Sequence, residues 1–294
     1  MPIESLNLLM LNVGYAVHNA DWNWKYVSSP FTRIYYVSEG EAHIRLKATV
    51  ENCHSSAKTN ASIALTSGHL YIIPAHTMHD YECDGKFCHY YLHVYEGFKS
   101  ESNVFDTYDF PIEVDATDED IHIFQHLCEL YPETCLPASD PRLYDNNNKF
   151  TDYVRRFNEM ELYQRMHIRG SLLVLFSRFM RHATPRIWTK DERMARVLNY
   201  IHANIYNDID IDTLASIACV TKPYLIRIFK HNFGTSPLQY INQKKIERAQ
   251  LFLITREITV KELAYTMGFN DHSYFIRLFK KITGVTPMEY RTEN

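Results

Sequence analysis

Arg227 and Arg277 stand at matching places in two similar stretches near the C-terminus, with Lys230 after the first and Lys280 and Lys281 after the second. A guanidinium is a planar fork of donors that fits the O6/N7 edge of guanine, while an ammonium is a point charge suited to phosphate. Pro223 and Ile226 neighbour the first arginine, and His272 and Ser273 neighbour the second. These six side chains are therefore candidates for contact with DNA base edges. Thr221, Lys230, Lys280 and Lys281, toward the helix ends, are candidates for phosphate contact.

Such contacts need rigid elements, and the sequence repeats a pair of them. The first copy reads Leu214-Ala215, Val220, Arg227, Phe229-Lys230, Gly234, Pro237 and Tyr240; the second reads Leu263-Ala264, Phe269, Arg277, Phe279-Lys280, Gly284, Pro287 and Tyr290. The offset is 49 residues up to the turn and 50 from the middle of the second helix onward, which places a one-residue insertion there. Ile211, Leu214, Ala215 and Ala218 recur at helical spacing and predict a short helix with one apolar face. Cys219-Val220 then makes a turn, Thr221 serves as N-cap, and a second helix runs from Lys222 to about Asn232 with Leu225, Ile228 and Phe229 inward. In the second copy Val260, Leu263 and Ala264 form the first helix and Gly268 the turn. Asn270 or Asp271 caps a helix to about Ile282, with Phe275, Leu278 and Phe279 inward and Ile276 outward. Gly234 and Gly284 fall where a left-handed residue ends a helix, and Ser236-Pro237 and Thr286-Pro287 restart the chain as N-cap and N1. Two copies are too few for a solenoid.

The stretch from Gly268 to Lys281, with Gly284-Val285-Thr286-Pro287 and Tyr290-Arg291, resembles the signature of AraC-type transcriptional regulators, the arabinose-regulator family. The resemblance covers about Glu192 to Arg291. It implies an all-α DNA-binding domain of seven helices, two helix-turn-helix units joined by a long helix. That helix would span Pro237 to Leu253 and bury Tyr240, Ile241, Ile246, Ala249 and Leu253. It also implies double-stranded promoter DNA as the main partner, RNA polymerase as a further one, and a homodimer.

At 294 residues the chain has room for two domains. Its net charge of −4 is unevenly spread. From Lys190 onward, 15 Lys and Arg face 11 Asp and Glu, a net +4, leaving −8 for residues 1–189. A basic end on an acidic body suits a salt-dependent DNA binder whose acidic part stays off the DNA. No signal peptide or membrane-length apolar run is expected. Cysteines at 53, 83, 88, 128, 135 and 219 form no CxxC pair, which reads as reduced thiols in a cytoplasmic protein.

Between about Arg33 and Glu96 the apolar period falls toward two. Ile34–Val37 runs into a turn at Ser38-Glu39-Gly40, Glu41–Leu46 alternates, and Glu51–Asn60 is a polar loop. Ile63–Leu65, Leu70–Ile73 and Tyr90–Tyr95 complete a pattern of short strands that predicts an antiparallel barrel or jelly roll. The order Gly40, Gly68, Pro74, His79 is similar to the cupin-like sensor domain of many AraC-type regulators. Helices are expected over Asp118–Tyr131, broken by Pro132, Pro137 and Pro141, and over Asn158–Met180, with Asp145–Asn148 a loop between them. In the family the later helix often mediates dimerisation. The fold class is thus α+β: a cupin-like ligand-sensing and dimerisation domain at 1–182 with flanking helices, a linker at 183–191, and a double helix-turn-helix domain at 192–294.

His69, His76, His79, His89 and His93, with Cys83 and Cys88, crowd the strand region. Their spacing does not reproduce the His-x-His pair of metal-binding cupins, so no metal, no cofactor and no catalytic residue is assigned. His89 and His93 lie four apart on one strand and share a face. A small-molecule pocket at the barrel mouth is the better use of the domain. The resemblance places Lys25 where the arabinose regulator has a sugar-binding arginine, and Tyr91 and His93 on the strand with its other sugar contacts. With Trp22 and Trp24, whose faces suit sugar rings, these are the candidate ligand residues. The sequence implies a DNA-binding transcriptional regulator controlled by a small-molecule effector, with a sugar as one candidate. Two other readings stay open. One is a metal-dependent cupin enzyme fused to a DNA-binding tail; the other is a regulator governed by a partner protein or its own abundance.

Overall fold

The computed structural model describes residues 6–46, 62–75, 77–96, 104–144, 147–185, 192–255 and 258–292. The chain divides into two compact units, Met1–Arg186 and Ile187–Asn294. The polar stretch Glu51–Asn60 and His76 lie outside the described residues.

The first unit is built on β1 (Leu8–Asn19), β2 (Thr32–Leu46), β3 (Ser62–Thr66), β4 (His69–Ile73), β5 (His79–Glu82) and β6 (Lys86–Glu96). It continues with α1 (Val104–Thr107), β7 (Tyr108–Asp109), β8 (Glu113–Asp115), α2 (Asp118–Leu130), α3 (Pro141–Tyr144), α4 (Asn147–Glu159), α5 (Leu162–Met180) and β9 (Thr184–Pro185). The strand order is β1-β6-β2-β4-β8, with β3 and β5 also paired to β2. Among the described residues no ladder joins β1 to β8.

The turn expected at Ser38–Gly40 is instead the bend of one 15-residue strand, β2. The register against β6 shifts between Val37 and Glu39, and Gly40 sits at φ +80° with the Lys86 carbonyl against it. A bulge with a left-handed glycine bends a strand without ending it. The first half of β2 therefore pairs β4 and β6, and the second half pairs β3 and β5. Trp22, Tyr35, Val37, Ile44, Leu65, Tyr71, Tyr81 and Phe87 share the interior that this bend creates.

Helices flank the strands. Thr117 and Asp120 cap α2 reciprocally, and the buried Asp120 accepts from Arg178 Nε of α5 at 2.9 Å, fastening the two helices together. The expected single helix from Asn158 is two helices. Asn147 and Asn148, read as loop, begin α4, and the chain breaks at Met160 because Glu161 and Gln164 form a capping box that restarts it as α5. Within the stretch read as linker, Thr184–Pro185 pair with β7 as part of the first unit.

The second unit comprises α6 (Glu192–Ala203), α7 (Ile211–Ile217), α8 (Lys222–Phe233), α9 (Pro237–Thr255), α10 (Val260–Thr266), α11 (His272–Thr283) and α12 (Pro287–Thr292). Met194, Val197, Leu198, Ile201, Leu214, Leu225, Phe229 and Ile241 pack one core around the first helix pair. Leu263, Ala264, Phe275, Phe279 and Tyr290 are buried around the second. All five residues expected on the inner face of α9 are buried, and so is Lys245. Gly234 and Gly284 end α8 and α11 in the left-handed region, at φ +70° and +89°. Since α8 and α11 begin 50 residues apart while α7 and α10 begin 49 apart, the inserted residue lies in the second turn, as Asn270, not within the helix.

Candidate nucleic-acid interface and an aromatic cavity

The two helix pairs close by the same hydrogen bonds. Val220 N donates to Ala215 O at 3.0 Å and Phe269 N to Ala264 O at 2.9 Å; Cys219 N donates to Ser216 O and Gly268 N to Tyr265 O. These bonds wrap the helix end around a left-handed residue. That residue is Gly268 at φ +70° in the second copy and Cys219 at φ +54° in the first.

Each turn delivers a helix with one open face. On α8, Pro223, Ile226, Arg227 and Lys230 are exposed while Leu225 and Phe229 are buried; Ile228 is half-buried. On α11, His272, Arg277, Lys280 and Lys281 are exposed, and Phe275 and Phe279 buried. Ser273, Ile276 and Leu278 are half-buried, so Ile276 is less outward than its spacing implied. Thr221 occupies the N-cap position of α8 and is exposed, but its side chain makes no capping bond; Asp271 caps α11 by accepting from Ser273 N at 2.8 Å. The arginines are lightly held. Arg227 lies 5.1 Å from the centre of the Tyr224 ring, and Arg277 is 4.0 Å from Asp271 with 70% of its side chain exposed.

The sequence reading passed over Tyr224 and Tyr274, which stand fifty residues apart, exposed, on the same faces as the arginines. The signal that could have found them is the repeat offset itself, which they obey as Arg227 and Arg277 do.

Residues 214–293 match the helix-turn-helix domain family. Over 105 residues the chain is 32% identical to the uncharacterized HTH-type transcriptional regulator YdeC of Bacillus subtilis, covering 36% of each chain. Over 102 residues it is 31% identical to the arabinose operon regulatory protein of Escherichia coli, covering 34% of this chain and 35% of that one. The second unit carries an AraC-type helix-turn-helix domain. The C-terminal domain of the response regulator yesN from Fusobacterium nucleatum is also similar, at 34% identity over 34% of this chain and 98% of that one, with a TM-score of 0.33. The chain thus spans about a third of the length of the Bacillus subtilis and Escherichia coli relatives.

The first unit holds a cavity of about 190 Å³ between β1, β6 and the 135–144 segment. Trp22, Tyr91 and His93 line it, as do His18, Tyr35, His89 and Tyr144. Trp24 and Lys25 do not line it. Trp24 and Val27 exchange backbone bonds with Tyr81 and His79, so this stretch is held against β5, away from the cavity, and Lys25 is exposed. Inside, Trp22 stacks on Tyr81 at 3.9 Å and lies 5.0 Å from His89, while His93 packs between Phe31 and Tyr144. Burial pushes His89 and His93 well below the ordinary histidine range, helped by His18 beside the first and Arg33 near the second. Burial also lowers His18, against the pull of Asp21 3.3 Å away. His79 is pushed down to about 3 by burial and by Arg33. These rings are neutral at pH 7, and Nδ1 of His89 and His93 has no hydrogen-bond partner among the described residues. The Tyr91 hydroxyl accepts from Leu136 N at 2.7 Å, reaching across Gly14, where a Cβ would lie 2.3 Å from it. Among the described residues no cluster of three metal-ligating side chains occurs, and no helix is long and apolar enough to cross a membrane.

Proposed function

We propose that the chain is a transcriptional regulator that reads promoter DNA with both helix-turn-helix units and answers to a small molecule held in its first unit. The carrying observation is that Arg227 and Arg277, with Lys230 and Lys280, stand exposed at equivalent places on two helices delivered by identically closed turns. One protomer then meets two successive major grooves, about 34 Å apart. A footprint of roughly 20 base pairs on one face of the DNA is expected per protomer. Protection of a single groove would show that only one unit docks.

The effector site is the 190 Å³ cavity, and a cupin-like fold for the unit suits its two-way pairing of β2 around an aromatic interior. An apolar cavity of about 150 Å³ takes a benzene ring. This one fits a single ring bearing polar groups, a monosaccharide among the candidates, stacked on Trp22 and bonded by the neutral imidazoles. Titrating sugars while following tryptophan fluorescence tests this, with Trp22→Phe and His93→Phe expected to abolish the response. A true effector whose response survives both changes would place the site elsewhere. Exposed Leu162, Tyr163 and Met166 at the start of α5 support a homodimer through this helix.

A further inference from the structure

Lys245 is 4% exposed on α9, the helix that connects the two DNA-reading units. A lysine this buried keeps its place only if its ammonium is satisfied. Its Nζ donates to the carbonyl of Asn207 at 2.7 Å and to that of Gly268 at 3.3 Å, and it lies 5.1 Å from the centre of the Phe269 ring. Burial lowers its pKa to about 8, so at neutral pH it is still largely charged. Asn207 leads into α7 of the first helix-turn-helix, and Gly268 is the turn of the second. One side chain from the connecting helix therefore bonds the entry of one unit to the turn of the other.

Two further features close the same junction. Gly268 touches the 206–207 backbone so tightly that a Cβ would lie 2.6 Å from the Asn207 carbonyl carbon. Asn270, the residue inserted in the second copy, donates from Nδ2 to Asp208 at 2.9 Å. The residue that breaks the repeat is the one that reaches back to the entry of the first helix-turn-helix.

We propose that Lys245 is a positioning residue that fixes the distance and angle between α8 and α11, and so sets the spacing between the two base-pair clusters the domain accepts. This rests on the reading that both units dock. Two linked binding events reinforce each other only when the link matches the separation of their sites.

The test measures binding of the full-length chain to duplexes carrying the two half-sites at native spacing, with one, two or five base pairs inserted, and to each half-site alone. For the unaltered protein, five inserted base pairs turn one half-site to the opposite face and are expected to lower affinity about a hundredfold. Lys245→Met keeps the stem and removes the donors. It is expected to bind native spacing roughly tenfold more weakly, bind isolated half-sites as before, and lose most of the penalty for one or two inserted base pairs. Lys245→Arg should restore strict spacing. Asn270→Ala, a surface change, should loosen spacing in the same direction and serves if Lys245→Met does not fold. An unaltered spacing penalty in Lys245→Met, or in Asn270→Ala where the former is unfolded, overturns the proposal. Indifference of the unaltered protein to spacing instead sinks the two-groove reading on which it rests.

Discussion

Cys219 carries a side chain through a backbone conformation that Gly268 reaches without one, and the two positions should answer oppositely to exchange. The left-handed region costs an L-residue roughly 1–2 kcal/mol, offset in part by the greater freedom glycine has when unfolded. Cys219→Gly is expected to stabilise the second unit by about 0.5–1 kcal/mol in urea unfolding. Gly268→Ala, whose methyl meets backbone that cannot yield, should cost about 3 kcal/mol. At the arginines the expectation concerns readout. Arg227→Ala or Arg277→Ala should each lose about 1–3 kcal/mol on the preferred site and relax preference at one base position. Selection from a randomised duplex pool checks this, and unchanged preference in both variants would refute it. The exposed residues of α8 and α11 were legible because exposure follows directly from helical spacing. Lys25 and Trp24 were not, since counting back from Gly40 cannot show that residues 24–27 are bonded to β5, a strand the sequence did not disclose.

The bounds of α8, α9 and α11 were legible to within a residue or two because caps are local. Thr259 and Glu262, Ser236 and Gln239, and Thr286 and Glu289 each satisfy helix N-termini with neighbours in the chain. β1 escaped notice for the opposite reason. Its first seven residues, Leu8 to Gly14, are all buried, so no alternation survives. One side pairs with β6 while helices cover it, Arg156 of α4 donating to the carbonyl of Leu11. Such a strand reads as a plain apolar run. At this scale the helix ends carry a prediction too. Lys230, Lys280 and Lys281 occupy the last turns of α8 and α11 and are exposed. Neutralising one should weaken binding to all sequences alike and shallow the log–log salt dependence by about one unit. A shift in base preference at constant slope would mean that the lysine reads bases instead.

Across the molecule, the buried histidines His18, His79, His89 and His93 all belong to the first unit, and all are lowered from the model-peptide value of 6.5. The folded state resists their protonation while the unfolded chain accepts it, so stability is full above pH 6.5 and declines as pH falls below it. Each such ring contributes a slope of about 1.4 kcal/mol per pH unit until its folded pKa is reached. The first unit should therefore unfold near pH 5 while the second still melts cooperatively, as two-transition calorimetry would record. His89→Phe should shallow the acid limb, and a single transition that ignores pH between 7 and 5 would contradict this account.

The crowding at Gly268 also bears on how the two copies diverged. Cys219 is exposed, so the first turn has room for a side chain. The second turn is pinned by the chain that enters the first copy and has no such room. The duplication is thus asymmetric under exchange. A recognition cassette moved from the second position to the first meets open space, whereas the reverse transplant carries a side chain into the 206–207 backbone. Libraries that alter operator choice are best built by shuffling cassettes into the first position.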